Sequence, residues 1–225
     1  MRTATTLYWI VCKDLVSEYR ARQVWPAMLM LGALITFLFS AQLDVIVDGK
    51  SRILALQVWL AIYFAGMLAM HRTFTAEHVD GCWDALRLYP INSTWIYLAK
   101  FAVNFLALAA LQVVVLSLCV LLSNVPLQNH LWHMAAVAVL GNIGISSVGT
   151  LLGGLWSCNR QDASVLACLA LPLVTPVILA ASEATRLVAD GQIGPEWWRW
   201  IGLLSIFGVT FVTAGIVLFD FLIED

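Results

Sequence analysis

The sequence predicts an all-α integral membrane protein, and three observations carry that prediction. Of 225 residues, 61% are hydrophobic and 12% charged, whereas soluble proteins average about 25% charged. The mean hydropathy is +0.88. Six stretches also reach the ~20 apolar residues that a helical span requires. They are 24–43, 53–70, 101–123, 131–156, 163–182 and 201–222. None alternates polar and apolar residues as a barrel strand does. This much apolar surface excludes a soluble globular enzyme and a disordered chain. The net charge of −2, from 12 basic and 14 acidic residues, excludes the concentrated basic face of a nucleic-acid binder.

Residues 3–22 precede the first span and read as an interfacial amphipathic helix. Leu7, Ile10, Val11 and Leu15 recur at helical spacing, with Lys13, Glu18 and Arg20 on other faces. Tyr8 and Trp9 suit the membrane surface. The segment lacks a continuous apolar core and a small-residue cleavage site, so no cleavable leader is expected. Pro26 falls near the start of the first span, where its missing N–H costs little.

Lys and Arg counts set the expected orientation. With the N-terminus inside, Arg2, Lys13, Arg20, Arg22, Arg72, Arg87, Lys100 and Arg160 are cytoplasmic. Lys50, Arg52, Arg186 and Arg199 are then external. This bias places both termini in the cytoplasm. Cys12, Cys82, Cys119, Cys158 and Cys168 are odd in number and lack C-x-x-C spacing, so free thiols are expected rather than a disulfide framework or a zinc site.

Residues 71–100 form the longest polar interruption of the hydrophobic body. Val79, Cys82, Trp83 and Leu86 are apolar at i, i+3, i+4 and i+7. Glu77, Asp80, Asp84 and Arg87 take the other side, and Pro90 stops the pattern. The spacing predicts a short cytoplasmic helix between spans two and three. One face of it can enter a groove on a partner; the bland alternative is a solvated loop.

In the fifth span Pro172 and Pro176 each remove a backbone donor. The pair reads as a hinge or part of a translocation path, or as a static kink. The fourth span carries a ridge of Gly141, Ile145, Gly149 and Gly153 beside one of Ala138, Asn142, Ser146, Thr150 and Gly154. Gly149 and Gly153 make a G-x-x-x-G pair suited to close helix packing. No span carries Asp, Glu, Lys or Arg near its middle, which argues against an ion-coupled pump. No G-x-x-x-x-G-K-[ST] phosphate loop is present, so ATP binding by that route is not expected.

His130 and His133, three apart, are either interfacial residues or a haem-ligating pair. Nine of the ten tryptophans fall near span ends, as an aromatic belt predicts, including the Glu196–Trp200 run. A membrane enzyme would need converging acids or metal ligands. Glu77, His78, Asp80 and Asp84 are the densest set and match no known metal motif, so no metal or catalytic residue is expected. A passive scaffold is the third class; it would tolerate changes at Glu77 and Asp84.

The 71–100 segment resembles the coupling region of the CcmB family. That family is the permease subunit of the ABC-type haem exporter of cytochrome c maturation and belongs to the ABC-2-type permeases. The resemblance rests on Phe74, Glu77, Gly81, Asp84 with Leu86, Pro90 and Lys100. Asp80-Gly81 matches the usual pair. Trp83-Asp84 stands where Leu-Glu is usual, and a second proline-rich turn after Pro90 is absent. The LALPLVTPVILAAS run of the fifth span is also similar.

The resemblance implies one permease domain over residues 1–225 in the bacterial inner membrane, acting as a homodimer. It implies a separate CcmA-like ATPase subunit that binds the ATP, a haem-handling CcmC-like subunit and a small CcmD-like subunit. The implied cargo is haem or its carrier, with no cofactor resident on this chain. The other reading within this class is an ABC-2-type permease for a lipid, polysaccharide or drug.

Overall fold

The computed structural model describes residues 9, 11–13, 16, 24–43, 49–79, 93–123, 130–158 and 163–224. Six helices account for nearly all of them. They are α1 (Val24–Leu43), α2 (Lys50–Val79), α3 (Ser93–Ser123), α4 (Leu131–Cys158), α5 (Ala163–Ala189) and α6 (Pro195–Glu224). There is no strand among the described residues. In lipid a backbone polar group finds no water, so an apolar chain satisfies its N–H and C=O groups within helices. The chain is an all-α membrane protein.

Five helices are long and apolar enough to cross a membrane, over Lys50–Leu68, Ser93–Leu122, Leu131–Leu155, Ala170–Ala189 and Pro195–Phe219. In α1 the apolar part is shorter, Trp25–Ala41. The predicted surface helix over 3–22 falls almost wholly outside the described residues. Its described positions, Trp9, Val11, Cys12, Lys13 and Val16, are helical.

Four helices outrun the spans read from hydropathy by six residues or more at one end. The second continues nine residues past Met70, to Val79. The third begins at Ser93 instead of Phe101. The fifth runs to Ala189, past Ser182, and the sixth begins at Pro195 instead of Ile201. A hydropathy window stops at Lys100, Glu183 and Arg199. A helix does not stop there, because a charge with a polar neighbour or near a helix end leaves the backbone ladder intact.

Two glycines make the turns at one end. Gly49 has φ +79°, and its carbonyl accepts the N–H groups of Arg52 and Ile53 at 3.1 and 3.2 Å. Gly191 has φ +70° and closes α5. Its N–H donates to Val188 O at 3.2 Å, and that of Gln192 to Leu187 O at 2.8 Å. These paired bonds form a Schellman cap, whose left-handed residue is most easily glycine. Pro195 then opens α6 with Glu196 in its first turn, which suits the missing proline donor and the helix dipole.

Helices α2 and α4 form the centre. α2 packs on α1, α3, α4 and α5, and α4 packs on α2, α3, α5 and α6. Buried residues make up 67% of the α4 span but 17% of the α6 span, so α6 is the more peripheral. Glycines allow the close approach. A Cβ on Gly141 would strike the Trp59 ring of α2, and one on Gly149 would strike the Met70 sulfur. A Cβ on Gly144 would come within 2.7 Å of Val177 in α5, and one on Gly154 would meet Phe219 of α6. One face of α4 therefore meets α2, and other faces meet α5 and α6.

Gly141→Val should lower the unfolding midpoint of the detergent-solubilised protein, because overpacking a tight contact costs about 1–3 kcal/mol. Gly202, with open space around its Cβ position, is the control. Gly202→Ala should leave the midpoint unchanged or raise it, since alanine is better in a helix by about 1 kcal/mol.

Candidate functional site

Arg52 faces Glu183, which puts the start of α2 with the C-terminal part of α5 at one end. Met70 packs on Gly149, and Tyr97 meets Ser147, Gly215 and Phe219, so the C-terminal parts of α2, α4 and α6 share the other end with the start of α3. The predicted coupling segment belongs to that end. Phe74 and Glu77 lie on the last turns of α2 rather than in a connection, because the helix continues to Val79. Asp80, Gly81, Trp83, Asp84, Leu86 and Pro90 lie outside the described residues. Lys100, the family-like lysine, is the eighth residue of α3 and only 1% exposed. It is therefore enclosed by the bundle and not displayed at its rim.

Around Lys100 the start of α3 is fastened to its neighbours. Tyr97, fully buried, donates its hydroxyl hydrogen to Ser147 O of α4 at 3.4 Å. Its ring packs on Phe219 of α6 with centroids 5.6 Å apart. A Cβ on Gly215 would collide with the Tyr97 hydroxyl, so α6 approaches closely here. One helical turn beyond Lys100, Asn104 Nδ2 donates to Thr150 Oγ1 at 2.9 Å. Deeper still, Asn142 Nδ2 donates to Gln112 Oε1 at 2.6 Å. These bonds tie α3 to α4 at three levels.

The Gln112–Asn142 pair is buried and leaves Gln112 Nε2 and Asn142 Oδ1 without partners. Exchanging O and N on both amides only moves the orphaned atoms, because one bond never satisfies two primary amides. In α1 and α2, Gln57 Nε2 donates to Thr36 O at 2.8 Å and leaves its own Oε1 unpaired. Such side chains act as interhelical ties where no water competes.

Pro172 and Pro176 lie inside α5, which runs unbroken from Ala163 to Ala189. They lack the donors that would reach the carbonyls of Cys168 and Pro172, each four residues back. The Thr175 hydroxyl does not repair either carbonyl, since it donates to Leu171 O at 2.6 Å. Pro172 is exposed on the bundle surface and Pro176 half-buried. Gly149 meets Met70 of α2, and Gly153 is buried one turn further along α4.

The opposite end is charged. Glu183 accepts from Arg186 Nε at 2.6 Å and faces Arg52 of α2 at 3.5 Å. Arg186 also reaches Asp190 at 3.2 Å. His133 and His130 stand nearby, with ring centroids 5.9 Å apart. Trp197, in the run read as a belt anchor, is instead 3% exposed and meets His133 edge to face at 4.9 Å. Its neighbour Trp198 is 65% exposed. The helix begins at Pro195 and turns alternate tryptophans inward and outward, which span-end position alone does not reveal. No group of three or more metal-ligating side chains occurs among the described residues. Cys12 and Cys119 are free thiols.

Trp59 had no belt position and no motif to mark it. It is fully buried, lies over Gly141, and donates Nε1–H to Thr185 Oγ1 of α5 at 2.9 Å. The signal that finds it is a tryptophan at mid-span opposite a glycine-rich helix.

A polytopic helical bundle with tied polar ladders inside and a polar segment between its second and third helices has the build of a transport permease. Residues 5–222 match the family described as CcmB protein. The chain belongs to the CcmB family. It is 26% identical over 162 residues to Heme exporter protein B of Rhodobacter capsulatus, covering 72% of each chain. It is 29% identical over 165 residues to Heme exporter protein B of Haemophilus influenzae, covering 73% of this chain and 71% of that one. No solved structure matches.

Asn142→Leu should destabilise the folded protein by about 1–3 kcal/mol, because it strands the buried Gln112 amide. The double variant with Gln112→Leu should cost less than the two single changes added together. A double-mutant cycle of unfolding free energies in detergent checks this.

Proposed function

We propose that this chain is the permease subunit of an ABC-type complex that acts in haem export, or in release of the haem-loaded carrier, for c-type cytochrome biogenesis. The match to the CcmB family over residues 5–222 carries the reading. The two relatives named Heme exporter protein B supply the cargo. ATP is hydrolysed by a separate CcmA-like subunit. CcmC-like and CcmD-like subunits complete the complex, and two copies of this chain form its membrane core. The complex resides in the bacterial inner membrane with both termini of this chain in the cytoplasm, in keeping with the bias of Lys and Arg.

In this reading the ATPase pushes on residues 74–90, from Phe74 and Glu77 through Asp80, Gly81, Trp83, Asp84 and Leu86 to Pro90. The push enters two helices at once. Glu77 belongs to the end of α2, and the segment leads into α3, whose first turns are fixed to α4 and α6 through Tyr97. A displacement there moves packed helices as bodies, since tightly packed contacts shift between discrete arrangements rather than deform. Lys100 is held where α3 enters the bundle, and Pro172 and Pro176 offer α5 a place to bend.

The experiment is co-expression with the ATPase encoded beside the gene, followed by isolation in detergent. A stable complex with ATPase activity and a co-eluting haem-handling subunit is expected. Glu77→Ala, Asp84→Ala and Gly81→Leu should preserve assembly and lower cytochrome c maturation by roughly tenfold, the scale of a coupling free energy of ~1–2 kcal/mol. Normal maturation in all three would remove the coupling role from this segment. An ATPase complex without a haem partner, in cells that make c-type cytochromes without it, would point to a different cargo.

A further inference from the structure

The charged end of the bundle contains two neighbouring cavities that share Glu183 and Arg186. The smaller, about 270 Å³, also touches Arg52 and Asp190. The larger, about 400 Å³, is lined by Glu183, Arg186, Glu196, Arg199, Trp200 and Leu203. We propose that the larger cavity binds the headgroup of a zwitterionic phospholipid carrying a primary ammonium, of the phosphatidylethanolamine class.

Charge is the first argument. Among the described residues four ionisable side chains line the cavity, two of each sign, so their formal charges cancel. Arg52, Glu183, Arg186 and Asp190 are already linked by ion pairs. Glu196 and Arg199 have no such partner among the described residues, although both line the cavity. Among the described residues the site therefore holds one unpaired cation and one unpaired anion. A phosphate and an ammonium on one ligand answer both. An anionic lipid would answer Arg199 and leave Glu196 facing it.

Donor count gives the same result. Arg186 spends Nε on Glu183 and Nη1 on Asp190. A guanidinium has five N–H groups, so others remain for a phosphate oxygen. A primary ammonium brings three donors for carboxylates, whereas a quaternary one brings none.

Depth is the third argument. The cavity lies where the apolar spans Ala170–Ala189 and Pro195–Phe219 meet across a short turn. Charged headgroups sit at this level of a bilayer. Below it, apolar surface continues on both helices. Leu179, one turn from Glu183, is 53% exposed, and Ile206 is 69% exposed beyond the half-buried Leu203. An acyl chain can follow that surface while Trp200 flanks the headgroup, as tryptophans do at membrane interfaces.

The test is native mass spectrometry of the full chain, purified in detergent with the subunits it retains. Dioleoyl phosphatidylethanolamine, phosphatidylcholine and phosphatidylglycerol are each titrated at equal concentration. The ethanolamine lipid should be retained about tenfold better than either other, the scale of one charge-assisted hydrogen bond. Arg199→Gln and Glu196→Gln should each lower its retention about tenfold, with an unchanged unfolding midpoint. Lys50→Gln, exposed and outside the cavity, should not. Equal retention of the three lipids, no retention, or full retention by both cavity variants overturns the proposal. Displacement by equimolar glycerophosphoethanolamine overturns the lipid assignment, because a headgroup alone would then suffice.

Discussion

The contact on which the bundle depends is Trp59 lying over Gly141. A tryptophan is the largest side chain, and it can sit between two central helices only where one of them offers no Cβ. With Gly141 opposite, α2 and α4 come together, and the indole N–H is left pointing at a third helix. Buried in a bilayer, that N–H costs free energy unless it is bonded. Thr185 meets it at 2.9 Å, and the threonine hydroxyl is itself settled on Ala181 O at 2.7 Å. One side chain thereby fixes the relative positions of α2, α4 and α5. The other glycine contacts of α4, with Val177, Met70 and Phe219, extend the same logic along its length.

Polar bonds do for α3 what Trp59 does for α5. Lipid tails are as apolar as leucine, so apolar burial alone gives helices little reason to prefer one neighbour over another. Asn104 with Thr150, Gln112 with Asn142, and Tyr97 with Ser147 O supply that preference. They also couple motion, because a shift of α3 against α4 must break or exchange bonds that have no water to replace them. If the ATPase pushes between α2 and α3 as proposed, these bonds carry the displacement into the centre of the bundle instead of letting it be lost in sliding.

Sequence reading reached the all-α membrane fold class and the small-residue character of α4 through hydropathy and spacing, and it expected six spans where five described helices are long and apolar enough to cross and the apolar part of α1 is shorter. It misplaced helix ends where a charge interrupts the apolar window, as at Lys100 and Glu183. Hydropathy assumes that charge means water. Lys100 instead is enclosed by the bundle, and Glu183 is held by Arg186 and Arg52. Trp197 shows a second limit. A belt position says that a tryptophan lies at an interface depth, but not whether it faces lipid or protein, and here the helix register turns it onto His133. Trp59 was invisible because its role requires knowing which glycine stands opposite. The polar segment after α2 stands out in the sequence, and its later part, residues 80–92, lies outside the described residues.

The two ends of α5 differ in how firmly they are held, and this bears on where the helix can bend. Toward its C-terminus, Thr185 is bonded to Trp59, Glu183 faces Arg52, and the Gly191 cap closes the last turn. Toward its N-terminus, Pro172 and Pro176 leave the carbonyls of Cys168 and Pro172 without intrahelical donors. Pro172 is also exposed on the bundle surface, so little packing opposes its displacement. The two halves of this one helix therefore differ in how many bonds hold them in place. The weakened half belongs to the same end of the bundle as the C-terminal turns of α2 and the start of α3. A push arriving there, as the proposed function requires, would meet the less firmly held part of α5 first, while Trp59 holds the remainder in register with the core.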